Sequence, residues 1–209
     1  MNMAMTKGEQ TRQRILDIAE TAVLSKGFEA TSIDEIIAEA EITKSGFYYH
    51  FADKNMLARA MLKRYIEHND ALFDSIFDRA RQLSDDPLQL FLIGLNMLAE
   101  VMEDLPSGHP GCMIASICYQ ERLFDREVVA LTAKSVRAWN ARFRGYIEEI
   151  ATCHPPRDRI DLDDVSEMLS CVIDGAIIMS KTLNEPKQLA RQVRAYRSYV
   201  KLLFTPSLQ

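Results

Sequence analysis

The chain has 209 residues, 47% of them apolar and 26% charged, with a net charge of −5, the make-up of a globular protein large enough for one sizeable domain or a small domain fused to a larger one. Apolar runs such as Val172-Ile173 and Ala176 to Met179 are broken by Asp174 and Lys181, so nothing approaches the ~18 consecutive apolar residues of a membrane span. The opening MNMAMTKGEQTRQR lacks the apolar segment of a signal peptide, and a cytoplasmic protein is expected.

Glycine is scarce, and no alternating Val/Ile/Thr run bounded by turns appears, so the expected fold class is all-α, with about nine helices. The first, over residues 9–26, places Ile15, Ala19, Ala22 and Val23 on one face and stops at Gly27. Thr31 or Ser32 caps a short helix over 33–40, with Asp34 and Glu35 in its first turn. Thr43 caps a second short helix over 44–50. Asp53 caps a long one reaching about Ala80, with Leu57, Met61, Tyr65, His68, Leu72 and Ile76 along it.

Asp85-Asp86-Pro87 breaks the chain and starts a helix with Leu88, Phe91, Leu95, Leu98 and Met102 on one stripe. LPSGHPG (105–111) is a loop, because two prolines and two glycines cannot extend a helix. A short apolar helix follows from 112, then a long one over 125–150 with Val136, Trp139, Phe143, Tyr146 and Ile150. After His154-Pro155-Pro156-Arg157 come the two most regular segments. Leu162, Val165, Leu169, Val172, Ala176, Met179 and Leu183 form one stripe, and Leu189, Val193, Tyr196, Val200 and Leu203 form the other.

A helix followed by two short helices within the first 50 residues has the shape of a helix-turn-helix, whose second helix enters the DNA major groove. Charge does not advertise it. Residues 1–64 hold nine Lys/Arg and nine Asp/Glu, and the remaining residues, 16 against 21, carry the whole −5. Binding to DNA must therefore come from where donors sit, not from a basic footprint.

Residue identities sharpen the pattern. Residues 11–57 resemble the DNA-binding domain of TetR-family transcriptional regulators, through Thr11-Arg12, Ile15-Leu16, Ala19, Gly27-Phe28, Thr31-Ser32, Ile36-Ile37, Ala40, Tyr48-Tyr49-His50-Phe51 and Lys54. The resemblance implies a helix-turn-helix domain over residues 1–53 and a ligand-binding and dimerisation domain over 54–209. It implies a homodimeric repressor on a palindromic operator in double-stranded DNA, released by a small-molecule effector.

Within that frame Phe47 and Phe51, four apart, share a face and are expected to pack on Ile15, Ala19 and Ile36. Tyr48, Tyr49 and His50 lie off that face and can donate to phosphate, although a packing role also fits either tyrosine. Thr43, Lys44, Ser45 and Gly46 begin the recognition helix, where side chains approach base edges. Thr31 and Ser32 supply a hydroxyl at a helix start, Lys54 is expected to anchor phosphate, and Lys7 and Arg12 flank. One departure stands out: the family's usual Ala-Gly-Val turn reads Ala40-Glu41-Ile42 here. Glycine tolerates a positive φ that glutamate adopts only at a cost of ~1 kcal/mol.

For the second domain, the two C-terminal stripes suit helices packed at about 20°. They fit either a four-helix dimer interface or a bundle within one chain, and the dimer is the expectation. The basic run Lys187, Arg191, Arg194, Arg197 and Lys201 is expected to be a solvated face. Effector contacts are expected among Tyr65, His68, Phe91, Met97, Met102, Met113, Ser116, Tyr119, Trp139, Phe143, Cys171 and Asp174, although each methionine equally suits plain core. Asp174, inside CVIDGAII, fits three roles: orienting a ligand, pairing within a dimer, or sitting at a rim. Cys112 follows Gly111 at a helix start, where the dipole favours thiolate, and Gly-Cys-Met resembles the Gly-Cys-Leu of some redox- or electrophile-sensing relatives. A small residue at a tight helix start fits equally. No Ser/His/Asp order, phosphate loop or paired Cys/His spacing is present, so no enzyme, metal or cofactor is expected, and Cys112, Cys118, Cys153 and Cys171 are expected to be free thiols.

Overall fold

A computed structural model describes residues 5–205. Among the described residues it contains nine α-helices, one short 3-10 turn and no strand. Helix α1 (Lys7–Lys26) starts with a reciprocal cap: Glu9 N–H donates to the Thr6 hydroxyl at 3.3 Å while Thr6 N–H donates to the Glu9 carboxylate at 2.7 Å. It ends at Gly27, whose φ of 86° a side chain would resist. Helix α2 (Ile33–Glu39) is capped by Ser32, and α3 (Lys44–His50) by Thr43. Helices α4 (Lys54–Arg81) and α5 (Pro87–Glu103) follow, then α6 (Met113–Cys118), the 3-10 turn Glu121–Leu123, and α7 (Arg126–Cys153). Helices α8 (Leu162–Leu183) and α9 (Gln188–Phe204) close the chain. No helix among the described residues is long and apolar enough to cross a membrane.

The chain divides into two compact units. The first comprises the chain to Glu67 together with Pro110–Ala133, and the second comprises His68–His109 with the chain from Lys134 onward. Helices α4 and α7 therefore each contribute to both. The boundary expected at 53/54 lies inside the first unit.

In the first unit one cluster gathers Ile15, Leu16, Ala19, Val23, Phe28, Ile36, Ala40, Phe47 and Phe51 with Leu57, Met61 and Leu62 of α4 and Met113, Ile117 and Val128. Each large side chain buried there stabilises by roughly 1.5–3 kcal/mol. Arg64 ties α4 to α1, bonding Asp17 and Glu20 at 2.6 Å each.

In the second unit Phe73, Phe77, Phe91 and Phe143 form a buried aromatic core with Trp139 and Tyr146 at its edge. Gly94 of α5 is what admits Phe77: a Cβ there would lie 2.5 Å from its ring. The α9 stripe (Leu189, Val193, Tyr196, Val200, Leu203) is buried within the chain, where α9 packs against α5 and α8. Tyr196 donates its hydroxyl to the Val165 carbonyl at 2.7 Å. The α9 stripe, and the Val165, Leu169 and Ala176 part of the α8 stripe, thus form an internal seam. Two members of the expected solvated basic face also differ: Arg194 pairs with Glu103 at 2.5 Å and Arg197 donates to the Leu92 carbonyl at 2.8 Å. Their long stems lie along α5 while the head groups reach polar partners.

Candidate nucleic-acid interface

The α2–turn–α3 segment sits on its core through Ile36 of α2, Ala40 at its end, Phe47 of α3 and Phe51 closing α3, with Ile33, Ile37 and Ile42 half-buried around them. Phe47 and Phe51 are wholly buried, 5.9 Å apart between ring centres, in one cluster with Ile15, Ala19 and Ile36. Burial of one face fixes which side of α3 looks outward. On that side Tyr48 is 44% exposed, with its ring edge-on to Phe47, and Tyr49 is 84% exposed. His50 is half-buried and stands edge-on to the Tyr49 ring at 5.0 Å. A 7-residue helix thus presents a nearly free phenol beside an imidazole. Both can donate to an anionic oxygen.

The start of α3 is equally open. The Thr43 hydroxyl accepts from Gly46 N–H at 3.1 Å and lies 3.0 Å from the Ser45 hydroxyl. Lys44 is exposed and reaches Asp34 of α2 at 3.8 Å, a solvated contact that a phosphate or a base edge can displace at little cost. At Gly46 a Cβ would crowd the Thr43 hydroxyl at 3.2 Å, so the glycine protects the cap as well as thinning the helix surface. The turn before α3 holds Glu41 at φ 51°, and its carboxylate is exposed.

Two residues of the expected contact set have work inside the domain. Thr31 is 1% exposed and donates its hydroxyl to the Gly27 carbonyl at 2.9 Å, so the hydroxyl that caps α2 is that of Ser32, accepting from Glu35 N–H at 3.1 Å. Lys54 donates to the Phe28 carbonyl at 2.7 Å and lies 4.4 Å from the centre of the Phe28 ring. Burial holds its ammonium below the usual lysine range. Arg12 sits over the Phe51 ring at 5.1 Å, and Lys7 opens α1 in solvent.

Sequence reasoning missed the part of this unit that comes from residues 110–133. Gln120 accepts hydrogen bonds from Phe28 N–H at 3.0 Å and Glu29 N–H at 3.2 Å, Phe124 lies 4.4 Å from Phe28 ring to ring, and Arg122 pairs with Glu29 at 3.3 Å. These partners are some ninety residues apart in the chain, and no local periodicity signals them.

The expected effector contacts fall in both units. Phe91, Met113 and Phe143 are buried, and His68, Tyr119 and Cys171 are exposed. Tyr65, Met97, Met102, Ser116, Trp139 and Asp174 are half-buried. The buried Cys112 caps α6, its sulfur 3.5 Å from Ala115 N. None of the four cysteines is in a disulfide. Among the described residues no group of three or more His, Cys, Asp or Glu side chains is arranged to hold a metal ion.

Residues 15–61 match the domain described as bacterial regulatory proteins, tetR family. The Transposon Tn10 TetC protein of Escherichia coli is 26% identical over 144 residues, covering 58% of this chain and 73% of that protein. The transcriptional regulator AcuR of Cereibacter sphaeroides is 23% identical over 174 residues, covering 82% of this chain and 76% of that protein. Among solved structures, a regulatory protein TetR from Rhodobacter sphaeroides superposes with a TM-score of 0.76 at 22% identity, over 90% of this chain and 98% of that one. The fold is shared along nearly the whole length, and the family match spans residues 15–61, from α1 into α4.

Proposed function

We propose that this chain, whose residues 15–61 match the tetR family domain, is a cytoplasmic repressor of the TetR family that binds a palindromic operator as a homodimer and leaves it when a small-molecule effector binds. The observation that carries the DNA half of this reading is α3 itself: one face is wholly buried at Phe47 and Phe51 while Tyr49 stands 84% exposed at the other. A surface phenol in water gains nothing from folding, whereas against a phosphate it donates a hydrogen bond and its ring excludes water.

Roles follow from reach. Lys44, Ser45 and Gly46, with the Thr43 cap, meet base edges. Tyr48, Tyr49, His50 and the Ser32 hydroxyl meet phosphates. Thr31 and Lys54 act by holding the α1–α2 corner from which the contacting residues are aimed. Effector contacts are drawn from the half-buried residues of the second unit, Met97, Met102, Trp139 and Asp174. The test is selection of duplexes from a random double-stranded library by the full-length protein, followed by footprinting. A two-fold symmetric site is expected, with binding by Tyr49→Ala weakened about tenfold or more at an unchanged melting temperature. Recovery of no enriched site, or a Tyr49→Ala protein that binds like wild type, counts against the reading.

A second reading, release through oxidation or alkylation of Cys112, is favoured by the position of that thiol: it caps α6, so a modified sulfur removes the acceptor for Ala115 N–H. Cys112→Ser keeps a cap. If oxidants or electrophiles release wild type from the selected duplex and leave Cys112→Ser bound, the cysteine reading stands. Equal release of both proteins removes it.

A further inference from the structure

We propose that Gln120 is a positioning residue for DNA binding: its side-chain oxygen fixes the corner between α1 and α2, and through that corner the angle at which α2 and α3 are presented. This rests on the DNA-binding reading above. The corner, residues 27–31, is irregular backbone that no helix ladder holds. Gly27, at φ 86°, is followed by the N–H groups of Phe28 and Glu29, and both donate to one Gln120 oxygen, at 3.0 and 3.2 Å. The Phe28 carbonyl is held in turn by the Lys54 ammonium at 2.7 Å. The same peptide neighbourhood is thus gripped from both sides by elements far apart in the chain.

Three further contacts show a built bracket. The Phe28 and Phe124 rings lie 4.4 Å apart, Arg122 reaches Glu29 at 3.3 Å, and Thr31 spends its buried hydroxyl on the Gly27 carbonyl. A side chain at Gly27 would press on the Gln120 amide at 3.3 Å, so the glycine and the glutamine are matched. This matters for DNA because α2 is short and leads directly into α3. It has 7 residues, with Ile36 wholly buried and Ile33 and Ile37 half-buried against the same core, and α3 packs on it. The corner fixes the end from which both helices leave α1. Gln120 touches no expected DNA contact. It acts through backbone.

The probe is the duplex selected by wild type, with an unrelated duplex of equal length as control. Gln120→Met keeps length and apolar bulk but removes the acceptor, leaving two N–H groups unanswered. Binding to the selected duplex is expected to fall about tenfold, with the unrelated duplex changed less and the melting temperature within a few degrees. Gln120→Glu keeps an acceptor oxygen and is expected to bind within about twofold of wild type. Gln120→Asn, which withdraws the amide by one methylene in a folded protein, is the second variant should Gln120→Met fail to fold, and is expected to weaken the selected duplex likewise. Wild-type affinity in both Gln120→Met and Gln120→Asn overturns the proposal. So does an equal loss in Gln120→Glu, because then the acceptor is not what matters. If wild type selects no duplex at all, the DNA-binding reading itself fails and the proposal fails with it, an outcome distinct from variants that match a binding wild type.

Discussion

Glu41 is the residue at which local conformation and sequence disagree most openly. Its φ of 51° lies in the left-handed region, where an L side chain crowds the following carbonyl by about 1 kcal/mol or more and glycine does not. The strain could be expected from the sequence, because the resemblance puts glycine at this turn and only glycine is neutral there. Glu41→Gly is expected to raise the melting temperature by about 2–4 °C; an unchanged or lower value counts against it. The same substitution removes a carboxylate near the recognition helix, so tighter DNA binding at low salt is expected alongside, shrinking as salt is raised. Other single-residue assignments were less legible. Thr31 and Lys54 read as DNA contacts because hydroxyl and ammonium groups suit phosphate, yet the structure gives both of them backbone carbonyls to hold. A donor's chemistry is visible in sequence; the carbonyl it will meet across a loop is not.

At the scale of elements the helices were legible nearly to the residue, because caps and stops are local chemistry. Ser32, Thr43 and Asp86 each accept from a backbone N–H three residues on, and Gly27 and Asn184 end their helices with positive φ. The loop 105–111 was equally plain from its prolines and glycines, but the half-burial of His109 within it was not. Burial, with the nearby charge of Lys181, pushes His109 down from 6.5 to about 4. The folded state then resists a proton that the unfolded chain accepts. The stability this protects is fully present above about pH 6.5, declines as pH falls towards 4, and changes no further below it, by roughly 3 kcal/mol in all. His109→Gln is expected to flatten the difference in chemical-denaturation midpoints between pH 7.5 and pH 4.5. Parallel slopes for the two proteins would sink the assignment.

At the scale of the whole molecule the question is what the last two helices face. The α9 stripe lies in the internal seam, yet another set of apolar side chains on α8 and α9 remains outside it: Met168, Ile178, Met179, Leu183, Tyr199 and Leu202, the last 64% exposed. In the homodimer proposed above, that outer face is the expected interface, since so many large apolar groups left in water on two adjacent helices ask for a cover. Ile178→Glu combined with Leu202→Glu is expected to sediment as a monomer at micromolar concentration and to lose most affinity for a symmetric operator, because two half-sites held together bind far more tightly than one. A double variant that stays dimeric excludes this face.

The sequence by itself determined the helices, their caps, the burial of Phe47 and Phe51, the outward tyrosines of α3 and the strained turn at Glu41. All of these follow from periodicity, capping chemistry and backbone preference acting over a few residues. Only the tertiary structure decided that residues 110–133 belong with the helix-turn-helix, that Gln120 grips the α1–α2 corner, and that the most regular C-terminal stripe is spent inside the chain. Each of those depends on which apolar face meets which. A stripe records that a helix must be covered on one side, but a helix can satisfy that demand against its own chain or against another, and spacing alone is the same in both cases.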